Sequence, residues 1–417
     1  MTVTSPLDAV RHALPSDTER EPHDYAIDGL LPRVAFSPDD RREVAELLRT
    51  AARHDLVVVP QGGRTALALG RPVDRYDVAL DTRGLRRLVE YVPDDLTITA
   101  EAGISLRHLQ DALGEHGQYL PVDPPPDDRV TLGGLLATAR PGAWRGFTPG
   151  VRDLILGMTV ALPDGLLARS GGRVVKNVSG YDLHRLHTGA LGAFGVIVEA
   201  SLKLAPLPVA TRSLALRCGD LARAVRVGLA LRDAPLSLRG LAVIAPRASA
   251  HASLPHEPHA LVDLAGVEEA VVRSAREVDE VARRHGATPA EVGERPWQRL
   301  RALAGDESAT VVRLGVPATA TLEVVEEVRA VGCLAWAYPA SGIVMGHADA
   351  GLQAGAVSAL RDRARALGGY LQVEAASPEL RRRVDPFDVD EREAVERLKA
   401  QFDPGHVINR GRWMEGL

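Results

Sequence analysis

Residues 57–65 read Val-Val-Val-Pro-Gln-Gly-Gly-Arg-Thr, a short apolar strand that runs into a proline and then into two glycines. A continuous apolar run is typical of a strand that is covered on both faces. Glycines permit positive φ and let a ligand approach the backbone, so the amides that follow can form an anion-binding nest, with the hydroxyl of Thr65 as a further donor. This pattern suits a pyrophosphate. It is neither a Walker loop nor a Rossmann fingerprint, and a plain strand-ending turn is the alternative.

A second segment, residues 120–138, combines three prolines at 124–126 with the run Thr-Leu-Gly-Gly at 131–134. The prolines stiffen an extended stretch of chain. The glycine pair begins a helix of small residues, against which a large group can pack. A proline-rich loop followed by an ordinary helix is the alternative.

A third segment, residues 171–197, begins with Gly-Gly-Arg-Val-Val-Lys-Asn and ends with Gly-Ala-Leu-Gly-Ala-Phe-Gly-Val-Ile. Its later glycines precede a strand, whereas the Rossmann fingerprint follows one, so the spacing does not indicate a dinucleotide fold of that type. Lys176 is one of three lysines among 50 basic residues. A lysine kept against such an arginine bias is a candidate for a compact point charge, with chance survival as the alternative.

In this order and spacing, the three segments resemble the FAD-binding domain of the p-cresol methylhydroxylase type, found in the vanillyl-alcohol oxidase superfamily. Within that family, the FAD-binding subunits of bacterial glycolate oxidase are the most similar. The resemblance covers residues 30–208 and the tail Phe-Asp-Pro-Gly-His-Val-Ile-Asn at 402–409. It implies an α+β fold in which a two-subdomain FAD-binding domain is followed by a ferredoxin-like α/β cap domain.

The resemblance also implies a role for each segment. The pyrophosphate of FAD would be held by Gln61, Gly62, Gly63, Arg64 and Thr65. The middle of FAD and the isoalloxazine edge would be lined by Pro124, Pro125, Thr131, Gly133, Gly134 and Thr138. Support for that wall would come from Arg152 and Asp153, and backbone contacts to the adenine or flavin from Gly195 and Ile197. The inner side of the flavin would be supported by Lys176, Asn177, Gly180, Tyr181 and Asp182, and the tail would add Asn409.

The chain departs from the family pattern in three places. Arg64 stands where the family usually has a third glycine, so either its guanidinium reaches the pyrophosphate or the loop has closed and FAD binding is weakened. Ala190 and Ala193 stand where a serine and a threonine are common. No histidine occurs in residues 60–70, where covalent flavin attachment often occurs in the superfamily, so we expect non-covalent FAD.

Turn and proline signals divide the chain into four parts. We expect an N-terminal extension at 1–29, the FAD-binding domain at 30–208, the cap domain at 209–389, and a C-terminal helix and tail at 390–417 that return to the FAD domain. The boundary at 208 follows the proline pair of Ala-Pro-Leu-Pro at 205–208. In the cap, two βαβ-type units indicate a ferredoxin-like layer, with strands expected near 213–217, 238–244, 259–265, 311–316, 333–337, 342–346 and 370–374.

Composition excludes several other classes of protein. The chain carries 50 basic and 55 acidic residues, a formal charge of −5 that does not favour nucleic acid as a partner. Two cysteines are too few for a disulfide scaffold or a cysteine-ligated cluster. No secretory signal and no apolar run of about 18 residues is visible, so we expect a cytoplasmic protein that meets a membrane only through partner subunits.

Candidates for catalysis are few. Oxidation of a 2-hydroxy acid needs a base for the hydroxyl proton and a cation for the carboxylate. Histidine-rich motifs supply these groups in catalytic relatives. Here only His347, in Met-Gly-His-Ala-Asp, is comparable, and Lys176 is the other weak candidate. The cluster His251, His256 and His259 indicates a solvated loop, and we expect no metal site.

These patterns favour the FAD-binding subunit of a glycolate-type, 2-hydroxy-acid oxidase or dehydrogenase complex. Such a subunit would carry electrons through FAD, beside a catalytic flavin subunit and an iron–sulfur subunit. Two alternatives stay open: a structural subunit with a vestigial FAD site, and a stand-alone FAD-linked oxidase of another alcohol or acid.

Overall fold

The computed structural model describes residues 5–173 and 180–416, and its first domain contains two β-sheets. The first sheet has the order β1-β2-β4-β3, in which β2, β4 and β3 are parallel and β1 is antiparallel. Its strands are β1 (Glu19–Arg20), β2 (Val34–Phe36), β3 (Val58–Gln61) and β4 (Val78–Asp81). Its helices are α1 (Pro6–Ala13) and α2 (Arg41–Arg53). The carboxyl end of β3 is the Gln-Gly-Gly turn that the sequence singled out.

The second sheet is antiparallel and has the order β5-β6-β10-β8-β9. Its strands are β5 (Leu88–Val92), β6 (Thr97–Glu101), β8 (Ile155–Ala161), β9 (Leu167–Gly171) and β10 (Val196–Lys203), while β7 (Gln118–Tyr119) and β11 (Ala205–Pro206) form a separate pair. The helices of this part are α3 (Leu106–Gly114), α4 (Leu132–Thr138), α5 (Val151–Leu154) and α6 (His184–His187). Helices α3 and α4 share a hydrophobic core with β6, β8 and β10, which places α4 beside the turn after β3.

The cap is one eight-stranded antiparallel sheet built from two units. The first contains β12 (Ala210–Arg217), β13 (Leu238–Ile244), β14 (His259–Gly266) and β15 (Thr288–Val292), with helices α7 (Leu221–Asp233), α8 (Pro246–His251), α9 (Glu268–His285) and α10 (Arg295–Ala304). The second contains β16 (Thr310–Gly315), β17 (Leu334–Tyr338), β18 (Ile343–Ala348) and β19 (Tyr370–Ala375), with helices α11 (Thr321–Ala330) and α12 (Ala354–Ala366). The spatial order β15-β12-β14-β13-β17-β18-β16-β19 makes each unit a βαββαβ motif of ferredoxin-like topology, joined through β13 and β17.

One cap strand and one histidine differ from what the sequence indicated. The unexpected strand β15 contains Pro289, which disrupts a strand pattern, yet β15 lies at the sheet edge, where a missing amide donor is tolerated. His259, expected in a solvated loop, is the first residue of β14 and is buried, with its Nδ1 2.8 Å from the Glu257 carbonyl oxygen.

The chain ends against the first domain. Helices α13 (Pro378–Arg383) and α14 (Arg392–Phe402) follow the cap, and the tail then forms a parallel bridge between Ile408 and Val58 of β3. The Val58 amide donates to the Val407 carbonyl at 2.8 Å, and the Asn409 amide donates to the Val58 carbonyl at 3.0 Å. The tail therefore lies beside the strand that ends in the Gln-Gly-Gly turn. Across the described residues, we find no helix that is both long enough and apolar enough to cross a membrane.

Candidate functional site

A cavity opens where the turn after β3, one face of α4 and the C-terminal tail meet. The empty space of the cavity together with its open mouth is about 910 Å³. The expected contact residues that line it are Gln61, Gly62, Gly63, Arg64, Thr65, Pro124, Pro125, Thr131, Gly134, Thr138 and Asn409. Leu135, Arg140, Leu191 and Arg412 also line it. Segments that are hundreds of residues apart thus form one wall.

The two glycines of the turn are required by a close approach between backbones. A Cβ atom on Gly62 would lie 2.3 Å from the Thr131 hydroxyl, and one on Gly63 would lie 1.6 Å from the Arg129 carbonyl oxygen. Neither glycine has a positive φ. The positive φ that we expected from the sequence is therefore wrong for Gly62 and Gly63, and the close approach of the backbones is what requires glycine here. The residue of this turn with a left-handed backbone is Arg64, at φ 60°.

Arg64 turns its side chain toward the N-terminal extension. Its guanidinium donates to the backbone carbonyl oxygens of Asp24 and, at 3.4 Å, Ala26, and it lies 5.7 Å from the centre of the Tyr25 ring. The cavity persists beside it, so a closed loop does not describe this structure. Because the backbone of Arg64 is left-handed, as a glycine would allow, the turn keeps its shape despite the missing glycine.

Beneath the turn, Gln61 is held by a buried group of tyrosines. Its amide nitrogen donates to the Tyr76 hydroxyl and, at 3.4 Å, to the Tyr25 carbonyl. The Tyr25 hydroxyl donates to Asp81 at 2.8 Å, and burial together with this carboxylate raises the pKa of Tyr25 to about 12. Tyr25 therefore stays neutral at physiological pH. Among the described residues, the Oε1 atom of Gln61 has no hydrogen-bond partner.

One face of α4 borders the cavity. Thr131, Gly134, Leu135 and Thr138 have the i, i+3, i+4, i+7 spacing of neighbours on one helix face. The Thr131 hydroxyl caps the helix by accepting from the Gly134 amide at 3.2 Å. Gly133 lies on another face, where its amide donates to the Ala102 carbonyl at 2.7 Å, and it does not line the cavity.

Four further expected contacts lie outside the cavity. Arg152 and Asp153 are in α5, where Asp153 is an exposed group 3.9 Å from Arg185. A Cβ on Gly195 would meet Val160 at 2.5 Å, and Ile197 is buried where β10 pairs with β8. Gly195 and Ile197 thus pack within the second sheet, and none of the four residues lines the cavity.

The expected inner support of the flavin is only partly described. Lys176 and Asn177 lie outside the described residues. Gly180, Tyr181 and Asp182 are exposed and do not line the cavity, with 86% of the Tyr181 surface accessible.

The tail contributes two residues to the cavity. Asn409, at φ 51°, donates from its side-chain nitrogen to the Leu191 carbonyl at 2.6 Å, which leaves its Oδ1 atom without a partner. Arg412 is buried and donates from Nη2 to the carbonyls of Leu67 and Leu69, while its Nη1 atom has no partner. Sequence reasoning missed Arg412, because one arginine among so many carries no signal of its own.

At the other end of the cavity, a buried ion cluster joins the first domain to the cap. Arg140 contacts Glu374 at two points. Its Nε atom lies 2.9 Å from a carboxylate oxygen, and its Nη2 atom donates to the backbone carbonyl oxygen at 2.7 Å. Arg313 donates to the same carboxylate at 2.6 Å. Burial alone would raise the pKa of Glu374, but Arg313 and Arg140 outweigh it and lower that pKa. The carboxylate is thus ionised, with Oε1 hydrogen-bonded to Arg313 and Oε2 at ion-pair distance from Arg140.

Asp123 lies beside this cluster and has no arginine in contact. It accepts from the Trp144 amide at 3.1 Å, and burial raises the pKa of Asp123 to about 6. A carboxyl group with such a pKa can exchange a proton near neutral pH.

His347, the catalytic candidate from the sequence, is on β18 and is 1% exposed, but it does not line the cavity. Its Nε2 atom lies 2.9 Å from Asp306, and Nδ1 lies 3.7 Å from Asp349. These three residues form the group whose ligand atoms could surround a cation. In this structure the Nε2 atom of His347 is at hydrogen-bond distance from Asp306.

Comparisons with known proteins point to a flavin. Residues 32–171 match the family model described as an FAD binding domain. The chain is 39% identical over 177 residues to glycolate oxidase subunit GlcE of Escherichia coli (strain K12), covering 42% of this chain and 50% of that protein. It is 26% identical over 427 residues to glycolate oxidase subunit GlcD of Bacillus subtilis (strain 168), covering 92% and 89%. The match therefore spans half the length of the first relative and most of the second.

The fold has solved counterparts along nearly its whole length. p-Cresol methylhydroxylase with substrate bound superposes with a TM-score of 0.79 at 14% identity, covering 98% of this chain and 96% of that one. Alkyldihydroxyacetonephosphate synthase superposes with a TM-score of 0.73 at 16% identity, covering 96% and 83%. These likenesses establish the fold.

The residues of the cavity fit FAD. Among the described residues, five buried polar atoms of the lining have no hydrogen-bond partner: Gln61 Oε1, Arg64 Nε, Arg140 Nε, Asn409 Oδ1 and Arg412 Nη1. Of these, Arg140 Nε is at ion-pair distance from Glu374. Unpaired buried polar atoms are costly, and a ligand with phosphate and ribityl oxygens offers them both acceptors and donors. The apolar lining from Pro124, Pro125 and Leu135 suits the flat faces of a large ring. FAD is the cofactor of this domain.

Proposed function

We propose that the protein is the FAD-binding subunit of a 2-hydroxy-acid oxidoreductase complex. Residues 32–171 match the FAD-binding domain family, and the chain has the fold of p-cresol methylhydroxylase. The relatives that support this proposal are subunits of glycolate oxidase. Bound FAD would accept and pass on electrons, and the cavity residues bind and orient it. The substrate of the complex would be a small 2-hydroxy acid.

The observation that carries the proposal is the ion cluster at the cap end of the cavity. An enzyme that oxidises an alcohol beside a flavin needs an unpaired base and, for an acid substrate, a free cation. Arg140 and Arg313 are both engaged by Glu374, and His347 is bonded to Asp306 away from the cavity. These pairings favour a subunit that carries electrons, while a separate catalytic flavin subunit oxidises the substrate.

An iron–sulfur partner is also part of the proposal. Cys218 and Cys333 are both 1% exposed, and burial raises the pKa of each thiol to about 11. Thiolates are the ligands of such clusters, and neither thiol ionises readily. Electrons would therefore leave through a cluster held by another subunit.

One observation favours a second candidate, a stand-alone oxidase of an alcohol or acid. Asp123 is buried next to Pro124, which lines the cavity, and its raised pKa of about 6 suits a general base. Against this, its carboxylate accepts a backbone hydrogen bond from Trp144, which is a structural role. The vestigial-site alternative has less support, because the cavity beside Arg64 is open.

Purification from the native cell tests the proposal. We expect the chain to co-purify with a second flavoprotein and an iron–sulfur protein, and to carry one FAD that trichloroacetic acid releases into the supernatant. The isolated, FAD-loaded chain should not be reduced by 2-hydroxy acids under anaerobic conditions.

Three results would contradict parts of this proposal. Reduction of the isolated chain by a 2-hydroxy acid, lost in Asp123→Asn, would favour the stand-alone oxidase. A colourless chain that ignores added FAD would favour a structural subunit. Flavin that stays with the precipitated polypeptide would exclude the non-covalent mode.

A further inference from the structure

Arg412 is a buried guanidinium without an acidic partner. It is 6% exposed, and among the described residues no carboxylate oxygen lies within 4.0 Å of it. The other strongly buried cations differ in this respect, because Arg381 contacts Asp28 and Lys399 contacts Asp403. Arg412 therefore has no ion-pair partner among the described residues, and the carboxylates of Asp28 and Glu307 act on its charge only from beyond contact distance.

Its surroundings make this charge costly. Burial, and then the nearby charge of Arg381, lower the pKa of Arg412 to about 10, so it is still protonated at neutral pH. The Nη2 atom donates to the Leu69 carbonyl at 2.8 Å and to the Leu67 carbonyl at 2.9 Å, which orients the guanidinium but supplies no negative charge. A buried charge of this kind is retained where an anion neutralises it.

The unpaired side of Arg412 belongs to the cavity. Arg412 lines it together with Gly63, Arg64 and Thr65, the turn after β3, and its Nη1 atom has no partner. The Nε atom of Arg64, in the facing turn, is also unpartnered. A group with several anionic oxygens placed between tail and turn would therefore meet unsatisfied donors from both.

We propose that Arg412 is an anion-binding residue of this cavity and that it pairs with the diphosphate of FAD. A guanidinium presents a planar fork of donors that matches phosphate oxygens. The tail would thus add the charge of Arg412 to the donors of the turn, where the terminal nitrogens of Arg64 are directed to the N-terminal extension and its Nε atom is left unpaired. This inference rests on FAD binding and is independent of the proposed complex and its substrate.

Titration of the apoprotein with FAD, followed by flavin fluorescence, tests the pairing. Arg412→Met should weaken FAD binding about 10- to 100-fold, the usual range for losing a charge-assisted hydrogen bond. Arg412→Lys keeps the charge and should recover part of that loss. Arg410→Met, two residues away and exposed, should bind FAD as the parent protein does.

Competition by ADP identifies the anion. ADP carries the diphosphate without the flavin, so Arg412→Met should weaken ADP and FAD by a similar factor. FAD weakened with ADP unaffected would place Arg412 at the flavin half and overturn the proposal, as would unchanged affinity for both. If Arg412→Met lowers the melting temperature of the apoprotein and Arg412→Lys does not, the Lys variant carries the test. Weakening of FAD and ADP by a similar factor relative to Arg410→Met, smaller than in Arg412→Met, supports the pairing, because the planar fork is lost and the charge is kept. Unchanged affinity for both ligands, or weakening of FAD alone, overturns it.

Discussion

The ammonium of Lys399 lies 2.7 Å from the carboxylate of Asp403, and both side chains are buried. Lys399 also donates to the carbonyls of Ala193 and Ile408, each at 2.8 Å. The Asp403 carboxylate accepts from the amides of Val407 and Ile408, each at 2.9 Å. This pair holds the tail against the first domain, and so places the residues that follow, including the two that line the cavity.

Lys399 should be irreplaceable by arginine. Three acceptors surround a compact ammonium, and a wide planar guanidinium cannot meet them without moving the tail. We expect both Lys399→Arg and Lys399→Met to lower the free energy of unfolding, the latter by about 3–5 kcal/mol because it leaves a buried carboxylate unpaired. Urea denaturation measures this. Lys203→Met, at an exposed position, is the control, and equal stability of all three variants would refute a clamp role.

Gly63→Ala should abolish FAD binding. Its Cβ would lie 1.6 Å from the Arg129 carbonyl oxygen, so the turn and the chain entering α4 would have to separate. Gly114→Ala, in α3, adds a Cβ that meets nothing within 4 Å and should leave binding unchanged. Flavin occupancy after purification distinguishes the two. Full occupancy in Gly63→Ala would show that the turn does not need this contact.

Acid should destabilise the protein partly through His187. Burial lowers the pKa of His187 to about 4, below that of an exposed histidine, and the ring packs edge-on against Phe402. Between pH 6.5 and 4 the unfolded chain binds more protons than the folded one, so stability falls as the pH falls. His187→Phe should reduce this loss by about 2–3 kcal/mol, measured by urea denaturation at pH 7 and pH 4.5. His108→Gln, at an exposed position, should not, and an unchanged slope in His187→Phe would contradict the assignment.

Lys176 remains a prediction from its rarity and from the family resemblance. A positive charge near the isoalloxazine would favour the reduced cofactor, so Lys176→Met should lower the reduction potential by tens of millivolts. Lys176→Arg should keep most of the potential and strain the packing. Spectroelectrochemical titration compares the three forms. Equal potentials would mean that the lysine is not near the flavin.

The rarity of lysine in this chain predicted one property of its lysines but not which lysine has that property. Rarity predicted that a lysine kept in this chain is needed as a lysine, and at Lys399 the contacts agree with that reasoning. Rarity could not indicate Lys399 rather than Lys176. The acceptors around Lys399 include a residue 206 positions away, and composition carries no information about such contacts.

The sequence by itself determined the type of fold, the cofactor and the turn that lines its cavity. These are encoded locally: a buried strand, a proline and two glycines form a turn wherever they occur, and the order of such segments identifies the family. Only the tertiary structure decided which faces meet the cavity. Gly133 and Gly134 are adjacent in sequence, yet a helix turns them to different sides, so one packs and the other lines the site. The contacts of Arg412 with Leu67 and of Glu374 with Arg140 join residues more than two hundred positions apart, and no local pattern records such contacts.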